Sequence, residues 1–265
     1  MTTIDAIEPE TLASGDFVQS LARGLAVIGA FDAEHQALTL SEVARRANLT
    51  RAAARRFLHT LQTLGYVRSD GRDFSLTPRV LELGMSYLSA LSFPEVAQPH
   101  LERLSHHVDE SASAAILDGA DIVYVARVPT RRIMSVRITL GTRFPAYATA
   151  MGRALLAALP NPEVEAVLRS RPLEQFTETT VTDHAELLAI IERVRAQGYA
   201  LVDEELERGL RSIAVPVRGR TGIVAAINIS TSSTRDTATW VRNTYLPPLQ
   251  ATSAAITADL KLARH

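Results

Sequence analysis

With 265 residues, the chain exceeds the roughly 100–200 of one ordinary domain, so one large domain or two unequal ones are expected. A composition of 46% hydrophobic and 22% charged residues argues against disorder, and no apolar run approaches the roughly 18 residues of a membrane span. The absence of cysteine excludes disulfides, thiolate metal sites and a cysteine nucleophile.

The first sixteen residues form an acidic tail (1–16) carrying Asp5, Glu8, Glu10 and Asp16 without a basic residue. A secretory leader begins with positive charge, so cytoplasmic residence is expected, away from membranes. The net charge of −1 hides an uneven distribution. Between Phe17 and Arg79 stand nine arginines and only five acids, with no lysine. Arginine suits bidentate contacts to phosphate and guanine, although a solvated charged face would read the same way.

Three helices are predicted in this segment. The first is capped by Ser20 and carries Leu21, Leu25, Ile28 and Phe31 at helical spacing; the second is opened by Ser41. After the break at Asn48-Leu49, Thr50 can cap a third that runs to about Leu64 and stops at Gly65. At 100° per residue this helix places Ala53, Phe57, Leu61 and Leu64 on one face with Leu58 beside them. Arg51, Ala52, Arg55 and His59 fall opposite and Arg56 on the flank, with no acid in the helix. Helix, tight break and cationic helix match a helix-turn-helix reader, with Arg51, Ala52 and Arg55 nearest the base edges. An amphipathic bundle helix is the alternative for this stretch alone. The next residues favour the reader. Tyr66–Arg68 and Phe74–Leu76 alternate around the turn Ser69-Asp70-Gly71-Arg72, a hairpin in the position of a wing, with Arg68 and Arg72 set against phosphates. A winged helix-turn-helix over 17–78 is therefore expected.

A linker helix over 79–93 should follow, with Leu81, Gly84, Met85 and Leu88 on one stripe. The remainder, 94–265, mixes a helix at Glu95–Val108 with strands at Ser113–Leu117, Ile122–Val128, Met134–Ile138, Tyr199–Val202, Ser212–Val217 and Ile223–Ile229. Further helices are read at Ala148–Leu159, at Asp183–Gln197 ended by Gly198, and at Trp240–Leu262 with a break near Pro247-Pro248. The fold class is α+β. Thr149, Ala150 and Met151 open a helix, whose N-terminus favours an anion. Asp203 follows a strand, while Ser212, Asn228 and Ser230 lie on neighbouring strands, the last two on one face by period two. Together they suit a carboxylate-bearing ligand; equally, Thr149 is a plain cap, Asp203 a solvated turn residue and the serines surface positions.

At this point the chain resembles the IclR family of bacterial transcription regulators, from Phe17 to Leu262. The resemblance rests on Phe17–Leu25, Leu40–Ala44, Thr60–Val67, Ala148–Ala157, Asp203–Glu205 and Gly209–Val217. Arg131–Ser135 and Ile138–Tyr147 are similar to the subgroup that controls aromatic-acid catabolism through the β-ketoadipate pathway. The resemblance implies a GAF-like effector domain, assembly into dimers or tetramers, and a double-stranded operator. It also implies a small carboxylic acid as effector, such as protocatechuate, 4-hydroxybenzoate or β-ketoadipate. RNA polymerase is a further partner it allows. Carried over as effector-binding residues are Thr149, Ala150, Met151, Asp203, Ser212, Asn228 and Ser230; the helix face and hairpin read above give Thr50, Arg51, Ala52, Arg55, Arg56, His59, Arg68 and Arg72 as the DNA-binding residues. Some members have Cys at the position of Ser212 and Ser at that of Asn228.

No metal or cofactor is expected: adjacent His106 and His107 would point about 100° apart on a helix. An enzyme would need Asp203, Glu204 or Glu205 as acid and base with Thr149 or Ser212 as nucleophile. No Gly-x-Ser-x-Gly elbow, P-loop or His-Glu-x-x-His supports that. A sensor module that binds no DNA is the other rival, and the arginine face with its hairpin argues against it.

Overall fold

The computed structural model describes residues 17–32, 34–83, 93–130 and 138–262. The acidic tail, most of the linker helix, the strand expected at Met134–Ile138 and the motif Arg131–Ser135 lie largely or wholly outside these residues. The chain divides into two compact units, Met1–Ala90 and Leu91–His265.

In the first unit α1 (Gln19–Ile28), α2 (Leu40–Arg46) and α3 (Arg51–Thr63) enclose a core of Val27, Leu38, Val43, Ala47, Leu58, Leu61 and Val67. Two expected caps move. No side chain caps α1, and α2 is capped by Thr39, not Ser41, in a capping box: the Glu42 amide donates to the Thr39 hydroxyl and the Glu42 carboxylate accepts from the Thr39 amide. Between α2 and α3, Asn48 sits at φ 51°, a left-handed position that Asn tolerates, and the Leu49 amide donates back to the Ala44 carbonyl (2.8 Å). Thr50 caps α3 through the Ala53 amide, and Gly65, at φ +80°, follows its end. The buried stripe of α3 is Ala54, Leu58 and Leu61, turned about one residue from the expected face, with Leu64 exposed. Strands β2 (Val67–Ser69) and β3 (Asp73–Leu76) form the hairpin, and the two-residue β1 (Leu38–Thr39) adds a third strand through Leu38↔Phe74. That strand anchors a hairpin that would otherwise be barely stable. A helical turn starts at Val80.

The second unit is a six-stranded antiparallel sheet in the order β6-β5-β4-β9-β8-β7. Its strands are β4 (Ser111–Asp118), β5 (Asp121–Val128), β6 (Arg143–Pro145), β7 (Ala200–Asp203), β8 (Leu210–Arg218) and β9 (Ile223–Ser232). Helices α4 (Phe93–Val108) and α8 (Ala238–Leu262) pack on one face. On the other lie α5 (Ala150–Leu156), α6 (Asn161–Arg169) and α7 (His184–Gln197), where Met151, Leu155, Leu156, Leu187 and Ile191 meet Tyr124, Val202 and Ala226. Strand β6 and helix α6 are additional to the expected elements. Helix α8 runs through Pro247 and Pro248 without the expected break. The carbonyls those prolines cannot serve belong to Asn243 and Thr244, both exposed residues, so the lost donors need no protein replacement.

Candidate functional site

On the first unit, α3 presents Thr50, Arg51, Ala52, Arg55, Arg56 and His59 as exposed residues on its outer side. The wing tip is held by the Asp70 carboxylate, which accepts from the Arg72 and Asp73 amides (3.0 and 2.8 Å), with Gly71 at φ +101°. Those bonds, led by the Asp73 amide, hold the Asp70 carboxyl below its ordinary value. Arg68 and Arg72 flank the tip and are exposed. Among the described residues none of Arg51, Arg55, Arg56, Arg68 and Arg72 forms a salt bridge, and only Arg72 acts on a nearby acid, Asp70, through its charge. Arg46 and Arg79, by contrast, are committed internally. Arg46 Nε donates to the Ala30 carbonyl (2.6 Å), and Arg79 lies 5.2 Å from the Tyr66 ring centroid and donates to the Leu64 carbonyl (2.6 Å). Five uncommitted guanidinium groups on one helix and its wing make a cationic surface suited to phosphates and base edges.

The second unit holds a cavity between the sheet and α5 with an empty volume of about 510 Å³, its mouth included. Thr149, Ala150, Met151, Ser212, Asn228 and Ser230 all line it, so six of the seven expected pocket residues come together. Thr149 caps α5 by accepting from the Gly152 amide (3.1 Å). Gly152 is required there, since a Cβ would lie 2.1 Å from the Ala146 oxygen. Ser212 and Ser230 are directly paired across β8 and β9, and the Asn228 amide nitrogen donates to both hydroxyls (2.8 and 2.9 Å). Asn228 is 3% exposed, and its amide oxygen has no hydrogen-bond partner among the described residues. A buried acceptor left unpaired costs about 1–3 kcal/mol, which a ligand donor would recover.

Asp203 is the exception. Period two turns Val202 toward the cavity and Asp203 to the opposite face, where both of its oxygens accept from Arg211 (2.9 and 2.8 Å). The neighbouring acids are equally committed. Glu205 forms a bidentate pair with Arg153, and Glu204 accepts from Ser233 (2.6 Å) and the Gly209 amide (3.1 Å), which holds its carboxyl below the ordinary value.

The apolar walls are what sequence reasoning missed: Tyr124, Ile138, Phe144, Leu206 and Leu210. Tyr124 and Phe144 meet edge to face at 5.9 Å between centroids. Burial pushes the Tyr124 hydroxyl up to about 12, with Arg127 opposing it, so it stays a neutral donor. Ala115 pairs with Tyr124 across β4 and β5, so an alignment of strands was the signal that would have found it.

A winged helix-turn-helix with an uncommitted cationic face, joined to an α+β unit enclosing an apolar cavity with a polar floor, defines a ligand-responsive DNA-binding regulator. The chain belongs to the IclR family. Residues 20–71 match the IclR helix-turn-helix domain, and residues 85–258 match the bacterial transcriptional regulator IclR C-terminal model. It is 48% identical to the Pca regulon regulatory protein of Pseudomonas putida over 240 residues, 90% of this chain and 82% of that one. A solved protein of Rhodococcus sp. RHA1 is 59% identical with a TM-score of 0.84, covering 92% of this chain and 98% of that one. An IclR homologue from Microbacterium hydrocarbonoxydans, solved with 4-hydroxybenzoate, is 27% identical with a TM-score of 0.84, covering 92% of this chain and 100% of that one. The chain is thus a DNA-binding transcription regulator.

Proposed function

We propose that the protein works in the cytoplasm as a homo-oligomer on a double-stranded operator, and that a small organic acid of aromatic-acid breakdown sets its affinity for that operator. In this reading residues 17–78 read DNA, 79–93 couple the units and 94–265 sense the acid. The observation that carries the effector assignment is the cavity itself: a slot walled by Tyr124, Phe144, Leu206 and Leu210 that ends on Ser212, Asn228 and Ser230, with one buried amide oxygen unpaired among the described residues. Such a slot fits a short ring or chain with polar ends, and the relatives' names, the Pca regulon and the 4-hydroxybenzoate complex, point to the same chemistry. Thr149, Ala150 and Met151 form the opposing wall.

The site is a sensor and not an enzyme. The acids beside it, Asp203, Glu204 and Glu205, are held by Arg211, Ser233 and Arg153, so no acid–base pair faces the cavity among the described residues. Self-association is supported by the start of α1, where Leu21, Leu25 and Val18 just before the helix are 55–63% exposed on one side. Contact with RNA polymerase would follow wherever the operator adjoins a promoter.

The test is a melting screen of the purified protein against 4-hydroxybenzoate, protocatechuate, β-ketoadipate and benzoate. A binder at 100 times its Kd should add about 2.7 kcal/mol of stability. A shift with at least one acid, lost in Ser230→Leu, is expected. No shift with any of them would overturn the effector assignment.

A further inference from the structure

Among the described residues the cavity carries no charged side chain in its walls, yet an acid must be held by something. The sheet face that forms its floor continues beyond Asn228. Ser113 pairs with Asn228 across β4 and β9, and Arg127 pairs with Ser113 across β4 and β5. In a regular strand, period two would turn Arg127 to the opposite face from Tyr124, three residues earlier. The register of β4 against β5 shifts between Ala114 and Ala115: Ala114 faces Ala126, and Ala115 faces Tyr124, leaving Val125 as an extra residue. This bulge re-aims Arg127 onto the face that holds Tyr124, as bulges do beside functional sites. Its Nη1 donates to the Ser113 hydroxyl (3.2 Å), which places it there directly.

Arg127 is half-buried, and burial pushes its pKa down. Among the described residues that serine hydroxyl is its only polar contact, and no carboxylate pairs with it. Elsewhere in this unit the buried arginines Arg153 and Arg211 each hold a bidentate acid. A half-buried cation without a counter-ion is costly to maintain, and in the strand register only Ser113 separates Arg127 from Asn228, whose buried amide oxygen also lacks a partner among the described residues.

We propose that Arg127 receives the effector's carboxylate, so that the cavity selects acids in their anionic form over neutral amides or esters of the same shape. This rests on the effector reading above and adds the residue that makes charge the criterion. A guanidinium suits the role because its fork can hold both carboxylate oxygens while the ring or chain lies along Tyr124. Removing the anion should leave the rest of the ligand bound to the same walls.

The experiment is calorimetric titration of the full chain with 4-hydroxybenzoate, protocatechuate and adipate, and with 4-hydroxybenzamide as the neutral isostere, on the wild type, Arg127→Gln and Arg127→Lys. The wild type should prefer the acid over the amide. In Arg127→Gln the acid should weaken about 10- to 100-fold while the amide is unchanged, so the preference collapses; Arg127→Lys should restore part of it. The melting temperature of Arg127→Gln should be equal to or above that of the wild type, because an unpaired cation has been removed. Equal losses for acid and amide, or no loss for the acid, would overturn the assignment while leaving the effector reading standing. If none of the acids binds the wild type, the effector reading falls and the assignment with it.

Discussion

Arg153 on α5 and Glu205 after β7 meet in a bidentate pair, both Nη–Oε distances 2.6 Å, with Arg153 only 2% exposed. Arg153 Nε also donates to the Tyr147 carbonyl (2.7 Å), and Glu205 accepts from the Val181 amide (3.1 Å). The pair therefore ties the helix that opens with Thr149 to the loop that supplies Leu206, two walls of the cavity. Breaking a buried pair from one side strands the other charge, at about 3–5 kcal/mol. Glu205→Gln and Arg153→Met should each lose about that much in urea unfolding. Losses below about 1 kcal/mol would show that the walls are held by apolar packing alone.

Gly152→Ala tests the closeness of α5 to the segment before it. The new Cβ would meet the Ala146 carbonyl oxygen at 2.1 Å and its Cα at 2.3 Å, both backbone atoms that cannot swing aside. The helix must shift, at about 1–3 kcal/mol or more, and Thr149 and Met151 shift with it. A lower melting temperature is expected together with loss of the acid-induced stabilisation. Wild-type stability would contradict the geometry.

The capping box of α2 should make the DNA-binding unit acid-sensitive. The Thr39 side chain, then its amide, donates to Glu42 and holds that carboxyl below its ordinary value of 4.5. A carboxyl lowered in the folded state contributes stability that is present above about pH 4.5 and is lost as pH falls through the lowered value. Thr39→Ala should thus lower the melting temperature at pH 7 by more than at pH 3. A difference that does not change with pH would show that Glu42 contributes nothing to the cap.

The helix-turn-helix was legible because its signals are local. Thr50 announces α3, Gly65 stops it, and the turn Ser69–Arg72 closes the wing within a few residues. The two-residue β1 was not legible, since only pairing with Phe74 makes Leu38 and Thr39 a strand. In the second unit part of the polar floor could be read because Asn228 and Ser230 obey period two, and pairing across β8 and β9 adds Ser212. Asp203 is equally close in sequence, but its parity sends it to the other face, where Arg211 waits. The aromatic wall and Arg127 depend on a bulge between β4 and β5, and no periodicity within one strand reveals an extra residue opposite its neighbour.

On DNA the two kinds of arginine should separate. Arg55→Ala, on the outer face of α3, should weaken specific binding by about 1–3 kcal/mol and relax preference at one base pair. Arg68→Ala, on the wing, should weaken specific and random DNA alike and reduce the salt slope by about one. The reverse pattern, read from salt titrations on both DNAs, would exchange their roles.

The most direct measurement is fluorescence anisotropy of the full chain on its own upstream DNA and on random DNA, with and without the acid that raises its melting temperature. Binding to the upstream DNA should be tighter than to random DNA, and the acid should change only the specific affinity, by about 5- to 150-fold. Equal affinity for both DNAs, or a specific affinity that ignores the acid, would contradict a regulator whose cavity governs its recognition helices.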